Sequence, residues 1–218
     1  MRLYDYPASP NCYKVRLALA ELGIDYERVN VDIFGGDTLT EEYGAINPAR
    51  NTPVLELDDG ERLIESNAIL LYLAEGSDLL PEDRVQRAQV HRWMFYEQAR
   101  IVPSIGWLRV QLVRTDTDPR HDSVRAQRRD CVAAAAIVDQ HLQGREFAVG
   151  DGFTVADLCL YGYLQVAGEA GVDTSRMPAL EAWFDRVRSR PRHVADLQPL
   201  PENAREGLSQ SVYDFAGR

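Results

Sequence analysis

The chain has 218 residues, enough for one large domain or two modest ones, and 45% of them are hydrophobic, which supplies a core and excludes a disordered chain. Its 34 acidic against 24 basic side chains leave a formal charge of −10, so a polyanion such as nucleic acid is not an expected partner. The three cysteines, Cys12, Cys131 and Cys159, cannot all pair and lack metal-ligand spacing, which argues against a disulfide scaffold or a metal module and for a reducing compartment. The opening residues carry no long apolar run with a cleavage signal, and no segment reaches the roughly 18 apolar residues of a membrane span. A soluble, cytoplasmic protein with no metal and no membrane partner is therefore expected.

The first strand is predicted over Arg2 to Tyr6. Ser9-Pro10-Asn11 then reads as a helix entrance, because a serine oxygen accepts orphan amide hydrogens and proline suits the first helical position. Val15, Leu17, Ala18, Leu19 and Leu22 give that helix an apolar face, and Gly23 is placed to end it. Tyr26 to Val31 predicts a second strand, followed by a Gly35-Gly36 break and a short helix near Thr40 to Ala45. Val54 to Leu57, Asp58-Asp59-Gly60 and Arg62 to Ile64 form a hairpin pattern in which Asp-Gly supplies positive φ angles. Ser66 is placed to cap the next helix, and the frame so far is β-α-β-α-β-β-α.

Ser77 to Asp83, interrupted by Pro81, is the linker candidate, and everything after it reads as helical. This predicts a mixed α/β unit over 1–77, a linker at 78–84 and an all-helical unit over 85–218. In the second unit Val85 to Val113 is one long amphipathic pattern with a kink expected at Pro103, and His121 to Leu142 is another. Thr154 with Asp157 forms a capping box, with Phe153 and Leu158 spaced as a hydrophobic staple. A last helix starts at Pro178 and stops near Pro191, and the tail after it has no clear assignment.

Three segments of the first unit carry chemistry when taken together. Ser9-Pro10-Asn11-Cys12 sits at a strand-to-helix junction, where free amides and the helix dipole favour an anion; the plainer reading is a capping Ser9 and a buried Cys12. Asn51-Thr52-Pro53-Val54 enters the hairpin, where a cis proline leaves the Thr52 amide and carbonyl free to pair with an extended peptide, although a strand-entry proline is commoner. Glu65-Ser66 suits the zwitterionic end of an amino acid, carboxylate on Ser66 and its amides, ammonium on Glu65, or is a plain cap after an exposed glutamate.

The frame, with Ser9-Pro10-Asn11-Cys12-Tyr13-Lys14-Val15, Asn51-Thr52-Pro53-Val54, Glu65 to Leu73 and Thr154-Val155-Ala156-Asp157, resembles the cytosolic glutathione transferases, in particular bacterial, serine-type members, from Arg2 to about Pro191. That resemblance implies a thioredoxin-like N-terminal domain that binds glutathione as co-substrate, a helical C-terminal domain that supplies most of an electrophile pocket, and a homodimer. It assigns Ser9 as donor to the glutathione sulfur with Asn11 as a second polar group, Thr52 and Pro53 to the cysteinyl backbone, Asn51 to the glycyl end, and Glu65 with Ser66 to the γ-glutamyl end. Cys12, Tyr13, Tyr96, Arg100, Trp107 and Arg109 are pocket candidates for the electrophile, their aromatic faces and cationic patch suiting an acidic one, with at least half of them expected to be core or solvated helix face. Tyr6 reads as packing.

A free thiol must fall from about 8.5 to about 6.5 to be anionic at neutral pH, which requires about 2.7 kcal/mol of preference for the thiolate. A hydrogen bond to a charged group contributes about 1.5 to 3 kcal/mol and a helix terminus up to about 2, so the two suffice. Ser9 stands where redox relatives carry their nucleophilic cysteine, so a dithiol mechanism is excluded. Conjugation of the thiolate to a small electrophile is the expected activity. Disulfide reduction or isomerisation through the same bound thiolate, and a non-catalytic regulatory role, are the alternatives.

Overall fold

The computed structural model describes residues 1–114, 118–201 and 204. The first part of the chain builds β1 (Arg2–Asp5), α1 (Pro10–Leu22), β2 (Glu27–Asn30), α2 (Glu41–Ile46), β3 (Val54–Glu56), β4 (Arg62–Ile64) and α3 (Ser66–Ala74). This is the expected thioredoxin-like order. The sheet runs β2-β1-β3-β4, with β1 parallel to β2 and antiparallel to β3, and β3 antiparallel to β4. Gly23 ends α1 in the left-handed region at φ 66°, its N–H turning back to Ala20 and Leu19. In the hairpin turn only Gly60 takes a positive φ, at 90°, and not Asp59, because the Leu57 N–H pairs with Glu61 O across a bulged turn that needs one left-handed residue.

Helix α1 has hardly any free face. Pro10 and every residue from Cys12 to Leu19 are buried, since α3 packs on one side and α7 (Val155–Leu164) on the other. A helix so enclosed brings its N-terminus to the junction between the sheet and the later helices.

The second part contains α4 (Arg84–Tyr96), a stretch of wider π-type turns over Glu97–Gly106, α5 (Trp107–Arg114), α6 (Asp122–Leu142), α7 and α8 (Pro178–Arg188). The expected kink at Pro103 is instead this widening. Proline has no N–H and its ring collides with the carbonyl four residues back, and wider turns accommodate both. The capping box forms as expected: the buried Asp157 carboxylate accepts from Thr154 N at 3.0 Å, from Ala148 N at 2.8 Å and from Trp183 Nε1 at 2.9 Å. The segment between α3 and α4 is anchored, with Leu79 and Leu80 buried and Leu79 O accepting from Val155 N at 2.9 Å.

The main core is continuous across both parts, running from Leu3 and Leu55 in the sheet through Trp93 and Ile101 to Trp183. Of the tail, residues 192–201 and 204 are described and pack back onto α1 and the segment from Tyr6 to Ala8 that follows β1; the rest lies outside the described residues. No helix among the described residues is long and apolar enough to cross a membrane.

Candidate active site

Ser9 is the N-cap of α1, in extended backbone at φ −86° and ψ 119°. Its Oγ accepts from Cys12 N at 3.3 Å, and its own N–H donates to Tyr6 O at 2.9 Å. The hydroxyl oxygen therefore serves the helix with a lone pair. Ser9 and Asn11 are half-buried and both wall one cleft. The Asn11 side-chain oxygen accepts from Ser66 Oγ at 3.2 Å, which ties the start of α1 to the start of α3.

Ser66 is the first residue of α3 and not its cap. The cap position is Glu65, whose φ of 68° is in the left-handed region that a non-glycine residue rarely occupies. Glu65 is exposed, and neither it nor Ser66 belongs to the cleft wall; Ser66 reaches it through Asn11.

The Thr52-Pro53 peptide bond is cis. Thr52 walls the cleft, and among the described residues neither its N–H nor its C=O has a backbone partner. The loop before it is held from below: buried Asn47 donates through Nδ2 to Asn51 O at 2.9 Å and to Asn51 Oδ1 at 2.7 Å, and the Tyr43 hydroxyl donates to Asn51 O at 2.8 Å. Asn51 is exposed at the cleft rim.

The cleft has a volume of about 570 Å³ and lies between the start of α1, the 33–39 and 50–52 loops, and the α5 end of the wider turns. Trp107 stands in its wall, 61% exposed. Four other candidates lie elsewhere. Cys12 is wholly buried behind the wall, its Sγ accepting from Tyr6 N at 3.4 Å, and burial pushes its thiol up to about 11. Tyr13 is turned into the core, its hydroxyl donating to Val194 O at 2.7 Å, because α7 and the tail close over that side of α1. Arg100 and Tyr96 face a separate hollow of about 590 Å³ between the wider turns and α6. Tyr6, read as packing, is buried and also walls the cleft.

Several residues of the site were not found by sequence reasoning. Asn47 had a signal, since Asn-Pro is a turn initiator and a buried asparagine holds a loop. Arg50, Val102, Tyr163 and Leu200 also wall the cleft and come from four separate stretches of chain, so no local pattern marks them. No group of three or more His, Cys, Asp or Glu able to hold a metal ion occurs among the described residues.

Comparison with known proteins agrees with this geometry. The glutathione S-transferase N-terminal domain family matches residues 3–79, and the glutathione S-transferase C-terminal domain family matches residues 101–191. A solved glutathione S-transferase from Pseudomonas fluorescens is 42% identical with a TM-score of 0.86, covering 90% of this chain and 98% of that one. The maleylacetoacetate isomerase of Pseudomonas aeruginosa is 34% identical over 203 residues, 90% of each chain. A glutathione transferase from Burkholderia graminis, solved with two glutathione molecules per subunit, is 26% identical with a TM-score of 0.76, covering 88% of this chain and 84% of that one. With both of its family domains matched and its fold shared, the chain belongs to the glutathione S-transferase family.

Proposed function

We propose that the cleft binds glutathione, converts its thiol to the thiolate and directs it at a small electrophile, making the protein a serine-type glutathione transferase. The observation that carries this reading is the Ser9 cap: its oxygen accepts from Cys12 N at the N-terminus of α1, and the residue stands in the cleft wall. A thiolate there gains a hydroxyl donor and the positive end of α1, and Asn11 offers a second polar group. Ser9 stays protonated throughout, and no general base is needed before the sulfur attacks.

In this reading the unpaired Thr52 backbone takes the cysteinyl residue of the tripeptide as an added strand, with Pro53 shaping the turn. Asn51 meets the glycyl end, and Ser66 with Glu65 the γ-glutamyl end. The strained backbone of Glu65 supports that assignment, because such strain is kept where it positions a group. Disulfide reduction or isomerisation through the same thiolate is the second reading, favoured by the isomerase relative. In either chemistry the burial of Cys12 argues against a direct part for that sulfur.

We also propose a division into domains at 1–77 and 85–218 about a linker at 78–84, supported by an N-terminal family match that ends at 79 and a C-terminal one that begins at 101. A homodimer is supported by Phe95, Val132 and Ile137, which α4 and α6 leave exposed. Three free, buried cysteines fit a cytoplasmic location. Retention on immobilised glutathione, followed by ultraviolet absorbance of the bound thiolate at neutral pH, tests the reading. Retention with thiolate absorbance is expected; a protein silent in both assays is a non-catalytic relative.

A further inference from the structure

The cleft has a second end that thiol activation leaves unused. Arg109 on α5 is 2% exposed; its Nε donates to the Glu169 carboxylate and its Nη1 to Ala8 O at 3.0 Å. Its Nη2 is buried with no hydrogen-bond partner, and so is the hydroxyl of Tyr6, 5% exposed. Both residues wall the cleft. An unsatisfied buried donor costs free energy, so two on one wall form a place that an acceptor on a ligand makes good.

The charge of the wall points to the kind of acceptor. The chain carries a formal charge of −10, yet among the described residues the cleft wall holds two cations, Arg50 and Arg109, and no Asp or Glu. Glu169 offsets Arg109 from a site 39% exposed and leaves one face of the guanidinium unused. Burial, with Asp32 nearby, drives the Tyr6 hydroxyl well above its ordinary value, so it remains a donor at any working pH. Ile33, Phe34, Val102, Trp107, Val110 and Leu200 make the remaining surface apolar.

From this geometry we infer that the electrophile has an apolar body ending in a carboxylate, which accepts from Arg109 Nη2 and the Tyr6 hydroxyl. The inference rests on the glutathione reading above and names the class of its second substrate. Guanidinium donors suit a carboxylate, and a site built around buried donors discriminates strongly against an analogue that lacks the acceptor.

The test uses 4-chloro-3-nitrobenzoate and its methyl ester with glutathione. In both the thiolate forms a C–S bond, the C–Cl bond breaks and chloride leaves with the electron pair. The quantity read is the acid-to-ester ratio of kcat/KM within each protein, which cancels any general loss of activity. Arg109→Met is expected to lower this ratio about 10- to 100-fold, and Tyr6→Phe about 10-fold. Tyr6→Phe removes a hydroxyl without a partner, so its Tm stays level or rises, and it carries the test alone if Arg109→Met fails to fold. Unchanged ratios in the folded variants overturn the carboxylate assignment and leave thiolate chemistry standing. Failure of the unaltered protein to bind glutathione, or turnover of neither the acid nor the ester, overturns the glutathione reading, and this inference with it.

Discussion

Lys14 Nζ lies 2.9 Å from Glu97 Oε1, and both side chains are completely buried where α1 meets the first of the wider turns. Asn67 on α3 donates to the other carboxylate oxygen at 3.1 Å, so three elements converge on one ion pair. Lys14 is the only lysine of the chain, and its ammonium donates to the Glu97 carboxylate. Removing one partner strands the other in the core. Glu97→Gln and Lys14→Met are each expected to cost about 3 to 5 kcal/mol in urea denaturation. The double variant is expected to lose about 2 kcal/mol less than their sum, and strict additivity refutes direct coupling.

Ser9→Ala separates the capping role from the chemical one. Loss of the Oγ acceptor for Cys12 N is expected to reduce stability by about 1 kcal/mol. If the hydroxyl also donates to the bound sulfur, the pH profile of conjugation shifts upward and the rate at neutral pH falls about 10- to 100-fold, while glutathione affinity changes only a few-fold. A profile that stays in place transfers the role to Asn11, since Cys12 is sealed behind the wall.

Signals confined to a few neighbouring residues were legible in the sequence. Ser9-Pro10, Gly23, and Thr154 with Asp157 each settle their own amides, so they read correctly without knowledge of the fold. Ser66 misled because the true cap, Glu65, uses a left-handed backbone that nothing in its residue type announces. Cys12 and Tyr13 were misplaced as pocket residues because periodicity divides a helix into a wet and a dry face, and α1, enclosed by α3 and α7, has no such division. The unpartnered donors of Arg109 and Tyr6 depend on where Ala8 and Glu169 lie in space, which no spacing along the chain encodes.

Burial raises all three cysteine thiols above their ordinary value, Cys12 to about 11. The folded protein thus holds these protons more tightly than the unfolded chain, whose thiols titrate at about 8.5. Stability from this source is complete below about pH 8.5 and is lost as pH rises toward the folded value. Denaturation midpoints are expected to fall between pH 9 and 11 and iodoacetamide to leave the native thiols unmodified at pH 7.5. The midpoint decline should weaken in Cys12→Ala; an unaltered decline assigns it to other groups.

The tail reaches the cleft through charge. Arg16, 1% exposed, donates to Asp5 at 2.6 Å and through Nε to Asp196 at 3.0 Å, and Arg28 also contacts both carboxylates. With Gln198 N on Pro7 O at 3.1 Å, these contacts turn the chain back so that Leu200 stands in the cleft wall. Asp196 is 39% exposed and Arg16 keeps Asp5, so Asp196→Ala is expected to cost only about 1 kcal/mol of stability. Its effect on the cleft should be larger than its effect on folding, because Leu200 loses its tether. Leu200→Ala removes about 1 to 2 kcal/mol of apolar contact, a 5- to 30-fold loss in kcat/KM for an apolar electrophile. Both variants should raise KM for that electrophile and leave retention on glutathione unchanged. Equal KM values in both variants and the unaltered protein mean the tail braces α1 without shaping the second-substrate site.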